Sequence, residues 1–390
     1  MKLSGETAIA GIGATEFSKD SGRSEMRLAA EAVKAALDDA GLDPTEVDGL
    51  TTFTMDANEE IEVARTLGMG DLSFFSRIHY GGGAACAVVL QAAMAVASGA
   101  ADVVVAYRAL NGRSKQRFGA SAAEKAAGLL VHYSWYFPYG LLTPASWVAM
   151  FAQRYMHQYG ATEDDLGAVS VACRDFAATN PAAWFYEQPI TLQDHRASRW
   201  IVEPLRLLDC CQESDGGVAV VVTSAERARD LKQPPVVIRA ASQGAGRDQE
   251  EMTSYYRDDI AAIPEAKVVA DRLWAESGLQ PSDVQTAVIY DPFTPFVLLQ
   301  LEEFGFCGRG ESAAFVRDVG IGPGGGLPVN TNGGQLGEAY IHGMNGVAEG
   351  VRQVRGTGVN QVEGVEHVLV TAGVGVPTSG LILGSSRGSS

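Results

Sequence analysis

The sequence lacks the marks of several protein classes, and each absence narrows what the chain can be. Basic residues are few, because 30 Lys and Arg stand against 47 Asp and Glu, for a net charge of −17. A chain this acidic repels polyanions, which argues against nucleic-acid binding. The N-terminus has no apolar signal core, and Gly or charged residues break the longest apolar runs before membrane-spanning length. We therefore expect a cytoplasmic protein with no membrane span.

Cysteine is scarce, and its spacing forms no recognisable pattern. Neither a disulfide framework nor a zinc site is indicated by Cys86, Cys173, Cys210, Cys211 and Cys307. The glycine-rich run at 320–326 lacks the Lys-Ser/Thr of a phosphate loop and the spacing of a dinucleotide fingerprint. We therefore expect no metal and no separate cofactor.

One sequence element occurs twice. Gly-Leu-Asp-Pro-Thr-Glu-Val at 41–47 returns as Gly-Leu-Gln-Pro-Ser-Asp-Val at 278–284. Each copy follows an amphipathic helix and precedes a predicted strand, at 49–54 and at 286–290. Gly is suited to end the helix, and Pro is suited to the first turn of a short new one.

A second pair of matches follows in the same order. Gly82-Gly83 introduces a small-residue helix that ends at Ser98-Gly99, before a predicted strand at 102–106. Later, Gly333-Gly334 introduces a predicted helix that reaches Gly350, before a strand at 367–371. A single match could be a common helix-stop sequence, but two in the same order favour two related α/β halves.

A long insertion, at 112–205, separates parts of the first half. It is rich in aromatic residues at 132–139 and 184–186. Such residues suit either a lid or subunit contact, or a small satellite core. The predicted division is an N-terminal half formed by 1–111 and 206–235, the insertion, and a C-terminal half at 236–390.

Several motifs, taken in order, are similar to those of the thiolase superfamily, in its lipid-transfer-protein or sterol-carrier-protein branch. They are Tyr-Met-His-Gln-Tyr-Gly-Ala-Thr-Glu at 155–163, Asn-Pro-Ala at 180–182, Ile-Thr at 190–191, Pro-Leu-Arg-Leu-Leu-Asp-Cys-Cys at 204–211 and Ser-Asp-Gly-Gly-Val-Ala at 214–219. The resemblance implies the α/β thiolase fold: two duplicated βαβαβαββ-type halves in five αβαβα layers, with an inserted loop domain. It also implies a homodimer and an acyl-CoA substrate.

The residues at the expected active-site positions differ from those of thiolases. The resemblance puts the nucleophilic cysteine at Gly82, and it puts the family's second cysteine within Thr-Ala-Gly at 371–373. Tyr340 stands in place of the histidine of the Gly-His-Pro element, and Tyr290 replaces the first residue of the Asn-Glu-Ala-Phe element. Cys86 lies one turn further into an apolar helix, where a buried structural cysteine is the favoured interpretation.

These replacements change the chemistry that the site can perform. Acyl transfer needs a thiolate to hold the acyl group. Retro-aldol cleavage of a β-hydroxyacyl-CoA needs only a base, an acid and donors for the enolate. The resemblance is closest to the thiolase-like aldolases of bacterial steroid side-chain degradation. It implies cleavage of a 17-hydroxy-steroid 20-carboxyl-CoA to propionyl-CoA and a 17-ketosteroid.

Two tyrosines are the predicted catalytic residues. Tyr340 is the expected base, because a position near a helix N-terminus favours phenolate, and Tyr290 beside Asp291 is the expected acid. The reverse order stays open. Asp291 either orients the site or caps a helix, and His342 either supports a hydrogen bond in the site or is structural.

Two rival functions remain. One is a non-catalytic carrier or scaffold subunit with the thiolase fold, and the other is a thiolase or acyltransferase with another nucleophile, for which Cys86 is the candidate. The resemblance also implies an OB-fold and zinc-ribbon partner that helps to hold acyl-CoA. Such a partner would supply the positive charge that this acidic chain lacks.

Overall fold

The computed structural model describes residues 4–55, 57–79, 81–115, 117, 134–250, 254–375 and 378–385. The strands in these ranges are β1 (Thr7–Ala14), β2 (Gly49–Phe53), β3 (Phe74–Ile78), β4 (Val103–Asn111), β5 (Trp200–Val202), β6 (Leu205–Arg206), β7 (Asp215–Ser224), β8 (Val236–Gly244), β9 (Thr286–Val288), β10 (His367–Ala372) and β11 (Thr378–Ser385). The helices are α1 (Glu25–Ala40), α2 (Glu60–Leu67), α3 (Ala84–Ser98), α4 (Pro144–Tyr159), α5 (Glu163–Thr179), α6 (Leu192–Ala197), α7 (Ala225–Ala228), α8 (Pro264–Ser277), α9 (Thr294–Glu303), α10 (Ser312–Asp318), α11 (Gly334–Gly337) and α12 (Met344–Arg355). Among these helices, none has the length and apolarity needed to cross a membrane.

The main sheet consists of two similar halves. Its nine strands run in the order β3-β2-β4-β7-β1-β8-β11-β10-β9. In the first half, β2 pairs parallel with β4, and the β4–β7 and β7–β1 pairs are antiparallel. In the second half, β9 pairs parallel with β10, and the β10–β11 and β11–β8 pairs are antiparallel. The prediction of two related halves is confirmed.

The repeated turn has the same conformation in both halves. Gly41 and Gly278 end α1 and α8 with φ of 76° and 72°, in the left-handed region that favours glycine. A short 3-10 turn follows each, at Pro44–Glu46 and Pro281–Asp283. Each turn leads into the strand that pairs parallel within its half, β2 or β9.

Two buried helices separate the halves of the sheet. α3 consists mainly of Ala and Val, and it packs with α12 in one core with strand residues of both halves. α1 covers the opposite face of the first half. α8 and α9, together with α4 and α5 of the insertion, cover the opposite face of the second half. The layers therefore follow the predicted αβαβα order.

The segment after Gly333-Gly334 corrects the prediction of a continuous helix to Gly350. α11 ends at Gly337 and α12 begins only at Met344. His342 and Gly343 have φ of 51° and 90°, which no right-handed helix can contain. The intervening residues, 338–343, form a loop instead, and we call this segment the tyrosine loop because it carries Tyr340.

The described part of the insertion packs against the C-terminal half. Among its aromatic residues, Trp135 and Tyr139 are exposed, whereas Tyr136 and Trp147 form a small buried cluster. His132 and Tyr133 lie outside the described residues. Both a covering role and a satellite core thus have support, and the three-part division of the chain stays a prediction.

Candidate active site

The two predicted catalytic tyrosines meet. Tyr290 lies two residues beyond the end of β9 and is 4% exposed, and Tyr340 is a partly exposed residue on the otherwise buried tyrosine loop. Their hydroxyl oxygens are 2.8 Å apart, which is a hydrogen bond in which either oxygen can be the donor. A fold that brings together residues 50 positions apart thus forms a pair of phenols in direct contact.

Gly82 makes room for this pair. An ideal Cβ atom at Gly82 would lie 1.8 Å from the hydroxyl oxygen of Tyr290 and 2.3 Å from the ring carbon that carries it. No side chain fits at that distance. The end of the Tyr290 ring therefore fills the volume that a side chain at position 82, just before α3, would occupy.

Asp291 fixes the start of α11. Its buried carboxylate accepts hydrogen bonds from the backbone N–H groups of Gln335, at 2.7 Å, and Leu336, at 3.2 Å. Burial raises the pKa of Asp291 to about 7, although these two bonds act in the opposite direction. The structure thus gives Asp291 the capping position, and the helix that it caps leads directly into the tyrosine loop.

A buried carboxylate anchors the tyrosine loop. Glu338 accepts hydrogen bonds from the side-chain amides of Asn332, Asn345 and Asn180, the last of which follows α5 in the insertion. Burial raises the pKa of Glu338 to about 7. The backbone N–H of Tyr340 itself donates to Ser214 Oγ at 3.1 Å. Sequence reasoning missed Glu338, whose role emerges only when the fold brings Asn180, 158 positions away, to the same carboxylate as Asn332 and Asn345.

His342 packs edge-on against Tyr340, with ring centroids 4.9 Å apart. Its Nδ1 accepts a hydrogen bond from Nε of Arg108 at 3.1 Å, and both side chains are buried. Burial and the positive charge of Arg108 hold the pKa of His342 well below its usual range. His342 is therefore a neutral imidazole with its proton on Nε2.

The pKa values of the phenols correct one prediction. Burial raises the pKa of Tyr290 well above its usual range, and Tyr340 raises it further. Burial also raises the pKa of Tyr340, although its hydrogen bond with Tyr290 and the charge of Arg108 act in the opposite direction. The predicted lowering by a helix macrodipole is wrong, because Tyr340 precedes the N-terminus of α12 by four residues.

All five cysteines are free thiols. Cys86 is fully buried, its thiol faces the carbonyl oxygen of Val370 at 3.6 Å, and burial raises its pKa. Cys211 is partly exposed and close enough to influence the pKa of both phenols, but burial raises its own pKa as well. Among the described residues, no group of His, Cys, Asp and Glu side chains could hold a metal ion.

Comparison with known proteins gives the family of the chain. Residues 246–384 match the family model of thiolase C-terminal domain-like proteins. The chain is 68% identical to the 17-hydroxy-3-oxo-4-pregnene-20-carboxyl-CoA lyase of Mycobacterium tuberculosis, over 98% of this chain and 100% of that protein. It belongs to the thiolase superfamily.

Two further relatives of this thiolase-superfamily member are named as aldolases. It is 64% identical to the steroid side-chain-cleaving aldolase of Thermomonospora curvata, over 99% of each protein. A solved Ltp2–ChsH2(DUF35) aldolase superposes with a TM-score of 0.94 at 64% identity, over 99% of this chain and 100% of that one. The predicted family and fold are confirmed.

Replacement of Gly82 tests whether the Tyr290 phenol needs this glycine. We expect Gly82→Ala to displace Tyr290, break its hydrogen bond with Tyr340 and lower the free energy of unfolding by about 1–3 kcal/mol through overpacking. The measurements are a crystal structure and chemical denaturation. Gly322→Ala is the matched control, because its Cβ would meet its nearest neighbour at an ordinary 3.4 Å. An unchanged distance between the two hydroxyl oxygens would contradict the interpretation.

Glu338 makes stability depend on pH in a defined direction. Its pKa is about 7 in the folded chain, whereas an unfolded glutamate titrates near about 4.3. The folded state therefore takes up a proton between these pH values, and the resulting stabilisation is complete below the unfolded pKa and is lost as pH rises through 7.

We therefore expect the melting temperature of the wild-type chain to fall from about pH 5 to about pH 8, and that of Glu338→Gln to fall less. Differential scanning calorimetry over this range gives the two curves. Glu226→Gln, at a solvent-exposed site, should follow the wild-type curve. Parallel curves for wild type and Glu338→Gln would rule out this role of Glu338.

Proposed function

We propose that the chain is a carbon–carbon lyase that cleaves a β-hydroxyacyl-CoA by a retro-aldol reaction. The proposed substrate is a 17-hydroxy-steroid 20-carboxyl-CoA, and the products are propionyl-CoA and a 17-ketosteroid. The observation that carries the proposal is the hydrogen-bonded pair Tyr290 and Tyr340, with hydroxyl oxygens 2.8 Å apart beside a glycine. Relatives named as a lyase and an aldolase of this kind, at 68% and 64% identity over nearly the whole chain, support it.

The two phenols supply the proton transfers that the reaction needs. In the active form the two phenols together have lost one proton, and the resulting negative charge lies on the oxygen of Tyr340. Tyr340 accepts the proton of the β-hydroxyl group, the β-carbon becomes a carbonyl carbon, and the electrons of the breaking Cα–Cβ bond form the enolate of the acyl-CoA. Tyr290 then donates its proton to the α-carbon. Proton transfer from Tyr340 to Tyr290 across the 2.8 Å contact restores the pair.

The assignment of base and acid follows from the neighbours of each phenol. Burial and the nearby Cys211 raise the pKa values of both phenols, but the hydrogen bond with Tyr290 and the charge of Arg108 favour the phenolate of Tyr340. Tyr340 in turn disfavours the phenolate of Tyr290. Tyr340 is therefore the phenol of the pair that ionises first, so it is the one available as the base.

Asp291 and His342 take supporting roles in this proposal. Asp291 caps α11 and so sets the beginning of the tyrosine loop. His342, a neutral imidazole held by Arg108, packs against the ring of Tyr340 and limits its orientation. Neither residue carries a proton to or from the substrate in the mechanism.

The reaction proceeds without a covalent cysteine intermediate. The position of the family's nucleophile is Gly82, and the Tyr290 ring fills the space beside it. Cys86 is fully buried, and the pKa of its thiol is raised, so little thiolate forms. A cytoplasmic location, where the five free thiols would stay reduced, is part of the proposal.

The insertion is part of the active unit in this proposal. Two side chains of residues in or next to α5 reach the site: Cys173 Sγ lies 3.7 Å from Asp291 Oδ2, and Asn180 donates to Glu338. These contacts support a domain at 112–205 that holds the site residues in position. The divided N-terminal half and the C-terminal half form the sheet that supports the site residues.

Removal of either hydroxyl group tests the proposal. Incubation of wild-type protein with the 17-hydroxy-steroid acyl-CoA should release propionyl-CoA and ketone in equal amounts. We expect Tyr290→Phe and Tyr340→Phe each to lower kcat by about 10²–10⁴-fold, the usual contribution of a general acid or base. Tyr256→Phe, at a surface tyrosine that is 68% exposed and lies outside the insertion, is the control and should keep wild-type activity.

Other products would identify a different function. Free acid and CoA would indicate hydrolysis, and no turnover in the presence of the partner would indicate a carrier or scaffold subunit. Full activity of both phenylalanine variants would eliminate the mechanism. Cys86→Ala and Cys211→Ala should remain active, and inactivation by either would favour a thiol nucleophile.

Two kinds of assembly belong to the proposal. β3 is an edge strand of the sheet, and its Phe75 is 58% exposed. A second copy of the chain could bury this edge, which supports a homodimer. The relative solved as an Ltp2–ChsH2(DUF35) aldolase supports a second, DUF35-type partner. With a net charge of −17, this chain gains most from a partner that brings positive charge to the anionic CoA.

Copurification with such a partner tests the assembly. We expect light scattering to give a dimer for the chain alone and a larger hetero-oligomer when the partner is coexpressed. The partner should lower KM for the acyl-CoA, and higher salt should weaken that effect because charge contributes to it. A monomer, or identical kinetics and mass with and without the partner, would count against this part of the proposal.

A further inference from the structure

The backbone at Tyr290 lies beyond the end of its strand. The last regular pair between β9 and β10 joins Val288 to Val370. Ile289 and Tyr290 follow, and both are buried, with exposures of 0% and 4%. Because buried backbone N–H and C=O groups need partners, something other than the strand ladder must bind them here.

Side chains supply these partners at Ile289. Asn330 accepts the backbone N–H of Ile289 at its Oδ1, 2.8 Å away, and donates from Nδ2 to the carbonyl oxygen of Ile289 at 2.9 Å. The side-chain amide of Asn330 thus forms with Ile289 the two backbone hydrogen bonds that a neighbouring strand would otherwise form.

Two further side chains do the same at Tyr290. The backbone N–H of Tyr290 donates to Thr371 Oγ1 at 2.9 Å, and its carbonyl oxygen accepts from Gln300 Nε2 at 2.7 Å. The hydroxyl group of Thr371 donates in turn to Gln300 Oε1 at 2.6 Å. The bonds close a ring through Tyr290, Thr371 and Gln300, and the side chains of the last two are 3% and 0% exposed.

Gln300 is itself held in one orientation. Its Nε2 also donates to the carbonyl oxygen of Phe296, one turn earlier in α9, at 2.9 Å. With its Oε1 accepting from Thr371, the amide has no freedom to exchange its oxygen and nitrogen without losing bonds. The ring therefore specifies one backbone geometry for Tyr290.

We propose that Thr371 and Gln300 are positioning residues for the lyase reaction. Neither touches the substrate. They fix the backbone of Tyr290, and thereby the direction of its ring into the space beside Gly82 and toward Tyr340. This inference rests on the proposed function, because it requires that Tyr290 be the proton donor.

Variants of Thr371 separate the hydroxyl group from the volume of the side chain. Thr371→Val is close in shape but leaves the N–H of Tyr290 and Oε1 of Gln300 without partners, whereas Thr371→Ser keeps the hydroxyl group. We expect Thr371→Val to lower kcat by about a hundredfold, the cost of a small misplacement of a catalytic group, with KM for the acyl-CoA unchanged. Thr371→Ser should restore most of kcat.

A control at Thr223 removes a comparable bond away from the two tyrosines. The buried hydroxyl group of Thr223, on β7, donates to the carbonyl oxygen of Asp102 at 2.7 Å. Thr223→Val should therefore lose a similar amount of thermal stability without loss of kcat. Equal losses of kcat in Thr223→Val and Thr371→Val would show a general effect on folding and overturn the inference.

Combination with Tyr290→Phe completes the test. Since Thr371 acts through Tyr290, Thr371→Val should cause no further loss of kcat in the Tyr290→Phe background, measured in single-turnover reactions with excess enzyme. A Thr371→Val variant as active as wild type, beside an impaired Tyr290→Phe variant, would overturn this inference alone. Absence of wild-type turnover, or full activity of Tyr290→Phe, would instead overturn the proposed function on which it depends.

Discussion

The hydrogen bond between the hydroxyl groups of Tyr290 and Tyr340 depends on a residue that has no side chain. A Cβ atom at Gly82 would overlap the phenol of Tyr290, so the pair exists only where position 82 is glycine. The thiolase nucleophile is expected at the same position. A thiol there and the tyrosine pair are therefore mutually exclusive, and the chemistry of the site follows from which of the two is present.

The rest of the fold brings the two phenols together and holds them there. Each half of the sheet contributes to the core around α3 and α12, and Gly82, just before α3, faces Tyr290, just beyond β9. Where the regular secondary structure ends, side chains form the hydrogen bonds that hold the backbone. Asn330, Thr371 and Gln300 bind the backbone beyond β9, and the carboxylates of Asp291 and Glu338 anchor the segment that carries Tyr340.

The sequence predicts the features that local chemistry determines. The glycines that end α1 and α8, and the prolines after them, identify the duplication, because the left-handed conformation and the following turn each favour one residue type. Motif order predicts the family, which the comparisons confirm, and it selects Gly82, Tyr290 and Tyr340 as site residues, which stays a prediction. The contact between the two phenols required the structure.

Features set by tertiary contacts were not predictable in the same way. His342 adopts a left-handed backbone conformation although it is not glycine, so its own residue type does not predict the break between α11 and α12. The pKa of Tyr340 depends on burial, which no sequence spacing reports. Gln300 lies in the buried helix α9, and its role appears only once β9 is seen to end before Tyr290.

The most direct test of the central claim is mass spectrometry of both the protein and the product during turnover in deuterated water. Proton transfer by the tyrosine pair, without a covalent intermediate, predicts an unmodified protein mass and one solvent-derived deuterium on the α-carbon of the released acyl-CoA. A protein mass raised by an acyl group on a cysteine, or an acyl-CoA released without deuterium, would contradict the account.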